Sequence, residues 1–102
     1  MISIYITCRN KAEAEKLSLH LLEQRLIACA NMFPVSSMYW FKGKLQKEGE
    51  VAILAKSVKE HFEKVKQAVR QVHSYDIPCI VSYEAVGDAD FADWVSTEVR
   101  AK

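Results

Sequence analysis

The chain is expected to fold as an α+β protein: a ferredoxin-like βαββαβ sandwich with an extended hairpin between its second and third strands and a helix at the C-terminus. Three observations predict this. Strand-like runs and helix-period runs follow one another in the order strand, helix, strand, strand, helix, strand. Each main helix joins two strands, and right-handed crossovers then place both helices on one face of a four-stranded antiparallel sheet. Finally, 102 residues, half of them hydrophobic and 26% charged, suit one domain around one core.

The elements are read in order. Ile2, Ile4 and Ile6 alternate with Ser3, Tyr5 and Thr7, a period of two that marks a strand with one buried face. Asn10 precedes Glu13 by three residues, the spacing of a capping box. The helix it opens carries Ala14, Leu17 and Leu21 on one face, extended by Leu22 and Leu26. Residues 28–43, ACANMFPVSSMYWFKG, form the second strand. They are aromatic and β-branched, yet interrupted by Asn31, Ser36, Ser37 and Lys42. Pro34 cannot donate to a ladder, so it points to a sheet edge, bulge or bend, and the strand is expected to bend there and project Tyr39, Trp40 and Phe41 as an aromatic arm.

Gly43, within Lys42-Gly43-Lys44, allows the positive φ of a tight turn. Residues 46–49 are polar and predict a loop, and Glu50 to Ser57 predict the third strand, with Val51, Ile53 and Ala55 on one side. Ser57 and Glu60 predict a second capping box, ahead of a helix whose stripe is Val58, Phe62, Val65, Val69 and Val72. Pro78 disfavours helical geometry at Ile77, so residues 73–78 are a loop. Ile80 to Val86 predict the fourth strand, Gly87-Asp88 its end, and Phe91, Trp94, Val95 and Val99 the apolar face of the last helix. No linker, low-complexity segment or second domain interrupts the 102 residues.

Composition narrows the partners. Fourteen basic residues nearly balance thirteen acidic ones, so no net field draws nucleic acid or an anionic membrane. No apolar run is long enough to span a bilayer, and the N-terminus begins a strand instead of a signal peptide. Three cysteines, Cys8, Cys29 and Cys79, are odd in number and widely spaced, which speaks for a reducing compartment and a cytoplasmic location. Helices cover one sheet face only, while the second and third strands offer apolar side chains on either parity between Pro34 and Leu54. The arm is either packed by the chain's own last helix or covered by another copy of the chain; an uncovered arm of this kind invites aggregation. Self-association in a closed ring is the expectation.

No Gly-rich phosphate loop, paired-cysteine motif, His-Glu-x-x-His or nucleophile elbow is present. Three groups remain. Cys29, His73 and Cys79 combine thiol and imidazole donors that suit copper or zinc, although an alanine-flanked Cys29 also reads as core. His73, Tyr75 and Asp76 share the loop between the second helix and the fourth strand, where His73 either accepts a metal or proton or simply favours a helix C-terminus. Glu50 and Lys56 open and close the third strand; Lys56 either binds an anion or is an edge charge that discourages aggregation.

Ala28-Cys29, Asn31, Pro34, Ser37, Tyr39-Trp40, Gly43, Glu50, Lys56 and the loop with His73, Tyr75 and Pro78 together resemble the CutA family, the divalent-cation tolerance proteins, over nearly the whole chain, with Trp94 also in place. The resemblance implies a tight homotrimer whose hairpins extend one another's sheets, a link to copper and other divalent cations, no organic cofactor, and a pocket between subunits. Asn31, Ser37, Tyr39, Trp40, Lys56, Tyr75 and Asp76 are its candidates for that pocket, and His73, Cys79 and Cys29 its candidates for metal. The family usually reads His-Pro-Tyr-Glu-x-Pro-Glu in the loop. Here it reads His73-Ser74-Tyr75-Asp76-Ile77-Pro78-Cys79, a thiol replacing a carboxylate, which favours softer ions. Ser57 stands where the family has threonine. Three functions compete: a non-enzymatic trimer binding a metal or small ligand between subunits, a signalling module like the PII regulators, by analogy of fold, and an enzyme using His73, Tyr75 and Asp76 in acid-base roles.

Overall fold

The computed structural model describes residues 1–100. Strands β1 (Ile2–Cys8), β2 (Cys29–Phe41), β3 (Lys44–Ser57) and β4 (Ile80–Glu84) form one antiparallel sheet in the order β2-β3-β1-β4. Helices α1 (Lys11–Glu23) and α2 (Phe62–Val72) pack together on one face, and α3 (Ala89–Arg100) follows β4 and touches β3. This is the expected ferredoxin-like βαββαβ arrangement with a C-terminal helix.

Alternation decides which face the helices take. Ile4 lies opposite Ala55 and Ile6 opposite Ile53, and all four are fully buried beneath Leu17, Leu21, Val65 and Val69. The other parity, with Tyr5 opposite Leu54 and Val81, faces away from the helices and is only part-covered. β2 and β3 run 13 and 14 residues, far longer than β1 at 7 or β4 at 5, so their hairpin projects beyond the sheet and the molecule measures 44 × 25 × 21 Å.

The turn at the arm's tip has φ 52° at Lys42 and 76° at Gly43, and Phe41 pairs with Lys44 across it. Positive φ at both central residues is the geometry whose twist suits a two-residue hairpin. Asn10 caps α1 by accepting the Glu13 N–H at 2.9 Å, but Glu13 reaches back to the Arg9 N–H instead of that of Asn10. Beyond the helix, Arg25 takes φ 58°, and Leu26 N–H bonds Leu21 C=O while Arg25 N–H bonds Leu22 C=O. This paired closure at a left-handed residue turns Leu26 into the core, past the end of α1.

Five expectations are corrected. Residues 46–49 are strand, paired with Ser36 through Tyr39, because a polar segment is stable at the solvated end of a hairpin when its partner continues. Pro34 does not interrupt β2, which stays paired with β3 from Cys29 to Phe41; β2 is an edge strand, where a missing donor is tolerated. Ser57 caps nothing: it ends β3, fully buried, and its hydroxyl donates to Leu26 C=O at 2.6 Å. The segment after it forms a 3₁₀ turn, Lys59–His61, before α2 begins. β4 stops at Glu84, and Val86 is fully exposed. Finally, α3 buries Val95 and Val99 but leaves Phe91 and Trp94 about two-fifths exposed.

Candidate functional site

On the helix-free side, the arm, the first strand and residues 75–79 enclose an open cleft of about 880 Å³. Its floor is Tyr5, Thr7 and Glu50, its walls are the arm residues from Ser36 to Phe41 with Gln46 and Glu48, and its far rim is Tyr75, Asp76, Ile77 and Cys79. Strand alternation builds the floor: Tyr5 and Thr7 point away from Ile4 and Ile6, and the β3 register carries Glu50 one position past the pairing of Cys8 with Val51.

Two tyrosine–glutamate pairs organise the cleft. Tyr75 donates its phenol proton to Glu50 Oε2 at 2.7 Å, and Tyr39 donates to Glu48 Oε2 at 2.7 Å. Glu50 is 8% exposed, an uncommon degree of burial for a carboxylate. Burial, followed by the Glu50 hydrogen bond and the negative charges of Glu48 and Glu13, raises the Tyr75 pKa well above the usual phenol range. The Glu48 hydrogen bond is the leading cause of a raised Tyr39 pKa. A smaller pocket of about 350 Å³ opens behind Tyr75, lined by Arg9, Glu48, Gly49 and Tyr75.

The loop that carries Tyr75 is fixed at three points. His73 Nδ1 accepts the Tyr75 N–H at 3.1 Å, which leaves its proton on Nε2, and Nε2 donates to Thr7 C=O at 2.8 Å. The His73 and Tyr75 rings lie 4.7 Å apart. Glu13 accepts the Ser74 N–H at 2.9 Å while also holding the Arg9 N–H. Burial alone would raise the Glu13 pKa, but these hydrogen bonds outweigh it and hold the carboxyl below its usual range.

The structure divides the expected site residues into three sets. Ser37, Tyr39, Trp40, Tyr75, Asp76 and Cys79 all line the cleft. Asn31, Lys56 and Cys29 lie at the other end of the same face, where Cys29 pairs with Lys56, Lys56 with Ser3, and Asn31 with Leu54. His73 sits behind the cleft with both ring nitrogens engaged. Cys79 contacts the Thr7 hydroxyl, and burial raises its pKa against that hydrogen bond. Ser3 and Thr7 are separated by roughly 13 Å along β1, and β2 and β4 are opposite edges of the sheet. Cys29 and Cys79 of one chain therefore do not share an ion, and His73 joins neither of them in a cluster among the described residues.

A different trio does converge. Cys8, Glu13 and His73 place one donor atom each within 4.8 Å of one another. All three are committed elsewhere: the glutamate and imidazole to backbone groups, and Cys8 to the core, where burial followed by the charges of Glu13 and Glu50 pushes its pKa up to about 12. A thiol held protonated is a poor metal ligand.

Sequence reasoning missed Glu48, Tyr5 and Thr7 in the cleft and the second duty of Glu13. Glu48 and Glu50 are two apart, so both carboxylates point to one face once residues 46–49 are known to be strand; reading that segment as loop concealed them. Nothing in the local pattern distinguishes a cap glutamate that also holds a distant loop.

Residues 2–98 match the family model of CutA1 divalent ion tolerance proteins. The divalent-cation tolerance protein CutA of Archaeoglobus fulgidus is 39% identical over 98 residues, covering 95% of this chain and 96% of that protein. Its counterpart in Pyrococcus horikoshii is 34% identical over 102 residues, 98% and 99% of the two chains. Among solved structures, the Archaeoglobus fulgidus protein, described as a periplasmic divalent cation tolerance protein, superposes with a TM-score of 0.94 at 39% identity over 97% of this chain and 99% of that one. A PII-like CutA from Nostoc sp. PCC 7120, in apo form, superposes with a TM-score of 0.90 at 27% identity over 97% of each chain.

Proposed function

The chain belongs to the CutA1 divalent ion tolerance family, and from that premise we propose that it is a non-enzymatic homotrimer that holds a divalent cation, copper foremost, or a small ligand in the cleft, with a neighbouring subunit completing the site. One observation carries this reading: the cleft lies beneath an arm whose apolar side chains the chain itself leaves bare. Met38, Trp40 and Leu45 are 65%, 73% and 58% exposed, and α3 packs on β3 without covering them. Closed rings of identical subunits are the common way to bury such a surface, and the open edges of β2 and β4 offer backbone pairing to a neighbour.

The relatives named for divalent-cation tolerance support the metal half of the proposal. Cys79 and Cys29 remain its soft donors, and His73 joins them only by releasing Thr7 C=O or the Tyr75 N–H. Because they do not converge within one subunit, such a site draws on more than one subunit or on the cleft carboxylates Glu48, Glu50 and Asp76. The absence of enzymatic function is supported by the state of the loop: His73 has no free nitrogen, and Tyr75 resists ionisation. A cytoplasmic location is proposed on the three unpaired thiols.

Sedimentation equilibrium of the purified protein is expected to give three times the 11.6 kDa chain mass at micromolar concentration. A monomer there would sink the assembly. Calorimetric titration of chelator-treated protein with Cu(II) is expected to give a saturable isotherm that weakens as the pH falls, because ligands must be deprotonated to bind metal. Unchanged copper affinity in both His73→Ala and Cys79→Ser would remove these residues from the site. The likeness to the PII-like Nostoc protein favours a second reading, a trimeric signalling module. Binding to a partner protein that depends on a small effector would select it.

A further inference from the structure

The lining of the cleft specifies a ligand class more narrowly than its family does. Its charged residues are Glu48, Glu50 and Asp76; no lysine or arginine lines it. Glu50 is more than nine-tenths buried, one oxygen accepts the Tyr75 phenol, and the other has no hydrogen-bond partner among the described residues. Neither Glu48 nor Glu50 has a salt bridge among those residues, and Arg9 lies in the adjoining smaller pocket on the other side of Tyr75. The second Glu50 oxygen is not enclosed but open to the cleft, the place from which a cation can reach it.

The remaining lining decides which kind of cation. Tyr5, Tyr39, Phe41 and Tyr75 contribute aromatic residues to the cleft side, joined by Ile77, while alternation turns the Trp40 and Met38 side chains to the other face of the arm. Aromatic faces attract ammonium groups, and more so when water is excluded. The volume of about 880 Å³ is that of a small-molecule site, whereas a bare metal ion needs several donors drawn within a few ångströms. The described residues make one such convergence, Cys8, Glu13 and His73, and it lies outside the cleft.

We propose that the cleft selects an organic ammonium ion with an apolar body, its charged end against Glu50 and its body against the aromatic arm. This rests on the cleft being the binding site of the assembled protein. The part of the site that one subunit supplies disfavours anionic effectors, since a phosphate or carboxylate would meet its three acids and none of its bases.

The test is calorimetric titration of the assembled, chelator-treated protein with n-hexylammonium, n-hexanol and hexanoate, with Cu(II) titrated into the same preparation. Saturable hexylammonium binding is expected, with hexanol and hexanoate at least tenfold weaker. Glu50→Gln, which keeps an acceptor for Tyr75, is expected to weaken hexylammonium at least tenfold. Should that variant fail to fold, Asp76→Asn on the exposed rim is expected to weaken it severalfold. Hexanol or hexanoate binding as well as hexylammonium would overturn the charge argument, as would undiminished affinity in the folded carboxamide variant. Copper binding with no hexylammonium binding would overturn the inference and leave the proposed function standing. Loss of both would overturn the two together.

Discussion

The two faces of this sheet come from the same strands, one residue out of step, and end in opposite conditions. The inner face is closed: Ile4, Ile6, Ile53 and Ala55 are fully buried by α1 and α2, and no charged residue joins them in the core cluster. The outer face is open and carries the part-buried Glu50–Tyr75 pair, and both faces run out into an arm whose tryptophan, on the parity of Ile53 but beyond the helices, is 73% exposed. The difference teaches where each face obtains its stability. The inner one is completed within the chain, by dispersion and by removal of apolar surface from water. The outer one is not completed within the chain among the described residues, and the proposed subunit contact along the arm and ligand in the cleft would complete it.

The strongest way to break this comparison is to cut into the inner face. Ile53→Ala is expected to cost about 2–5 kcal/mol, as large-to-small core changes do, in urea unfolding followed by circular dichroism. A cost below about 1 kcal/mol would mean that the inner face is not the closed one. Trp40→Ala comes next. In an isolated chain it would change little, because the side chain is largely exposed; in an assembly that buries it, about 2 kcal/mol per subunit is expected, seen as a lower melting temperature and weaker association in sedimentation. A shift within error would return the arm to solvent.

Ser57→Ala sharpens the comparison at the sheet's edge. It leaves the Leu26 carbonyl without its donor and is expected to cost on the order of 1 kcal/mol, measurable by chemical denaturation without change in oligomer mass. A neutral result would show that the hydroxyl contributes nothing beyond its volume. The smallest effect belongs to Glu13. Its folded pKa lies below the unfolded value, so it contributes stability that is fully present above about pH 4.5 and is lost as the pH falls through the folded pKa. Glu13→Gln is expected to flatten the acid limb of the stability profile by lowering stability modestly at neutral pH, where the ionised carboxylate contributes, and to leave strongly acid pH little changed; an unaltered acid limb would detach Glu13 from the loop.

Much of this was legible from residue order. Alternation in β1 and the four-three spacing in α2 name their buried residues, since periodicity is a local property that the fold uses directly. Asn10 was legible as a cap, and Gly43 as a turn. Ser57 was misleading for a physical reason: the Ser-x-x-Glu spacing satisfies a helix N-terminus only if the serine is free, and here a carbonyl from the end of the α1–β2 turn takes its proton first. Six of the ten candidate site residues meet at the cleft because one strand and one loop carry them, Ser37, Tyr39 and Trp40 on β2 and Tyr75, Asp76 and Cys79 after α2. Asn31, Cys29 and Lys56 fall away from them because neighbours across a strand pair are set by register, which sequence spacing alone does not supply.

The sequence by itself determined the order of elements, the composition of the inner core and the presence of an apolar arm, because each depends on side-chain period and turn chemistry within a few residues. Only the tertiary structure decided that Glu50 meets Tyr75, that His73 spends both nitrogens on backbone groups, and that Cys29 and Cys79 lie at opposite edges of the sheet. Those outcomes depend on strand order and register, which arise from packing two helices against four strands at once and are written in no single segment of the chain.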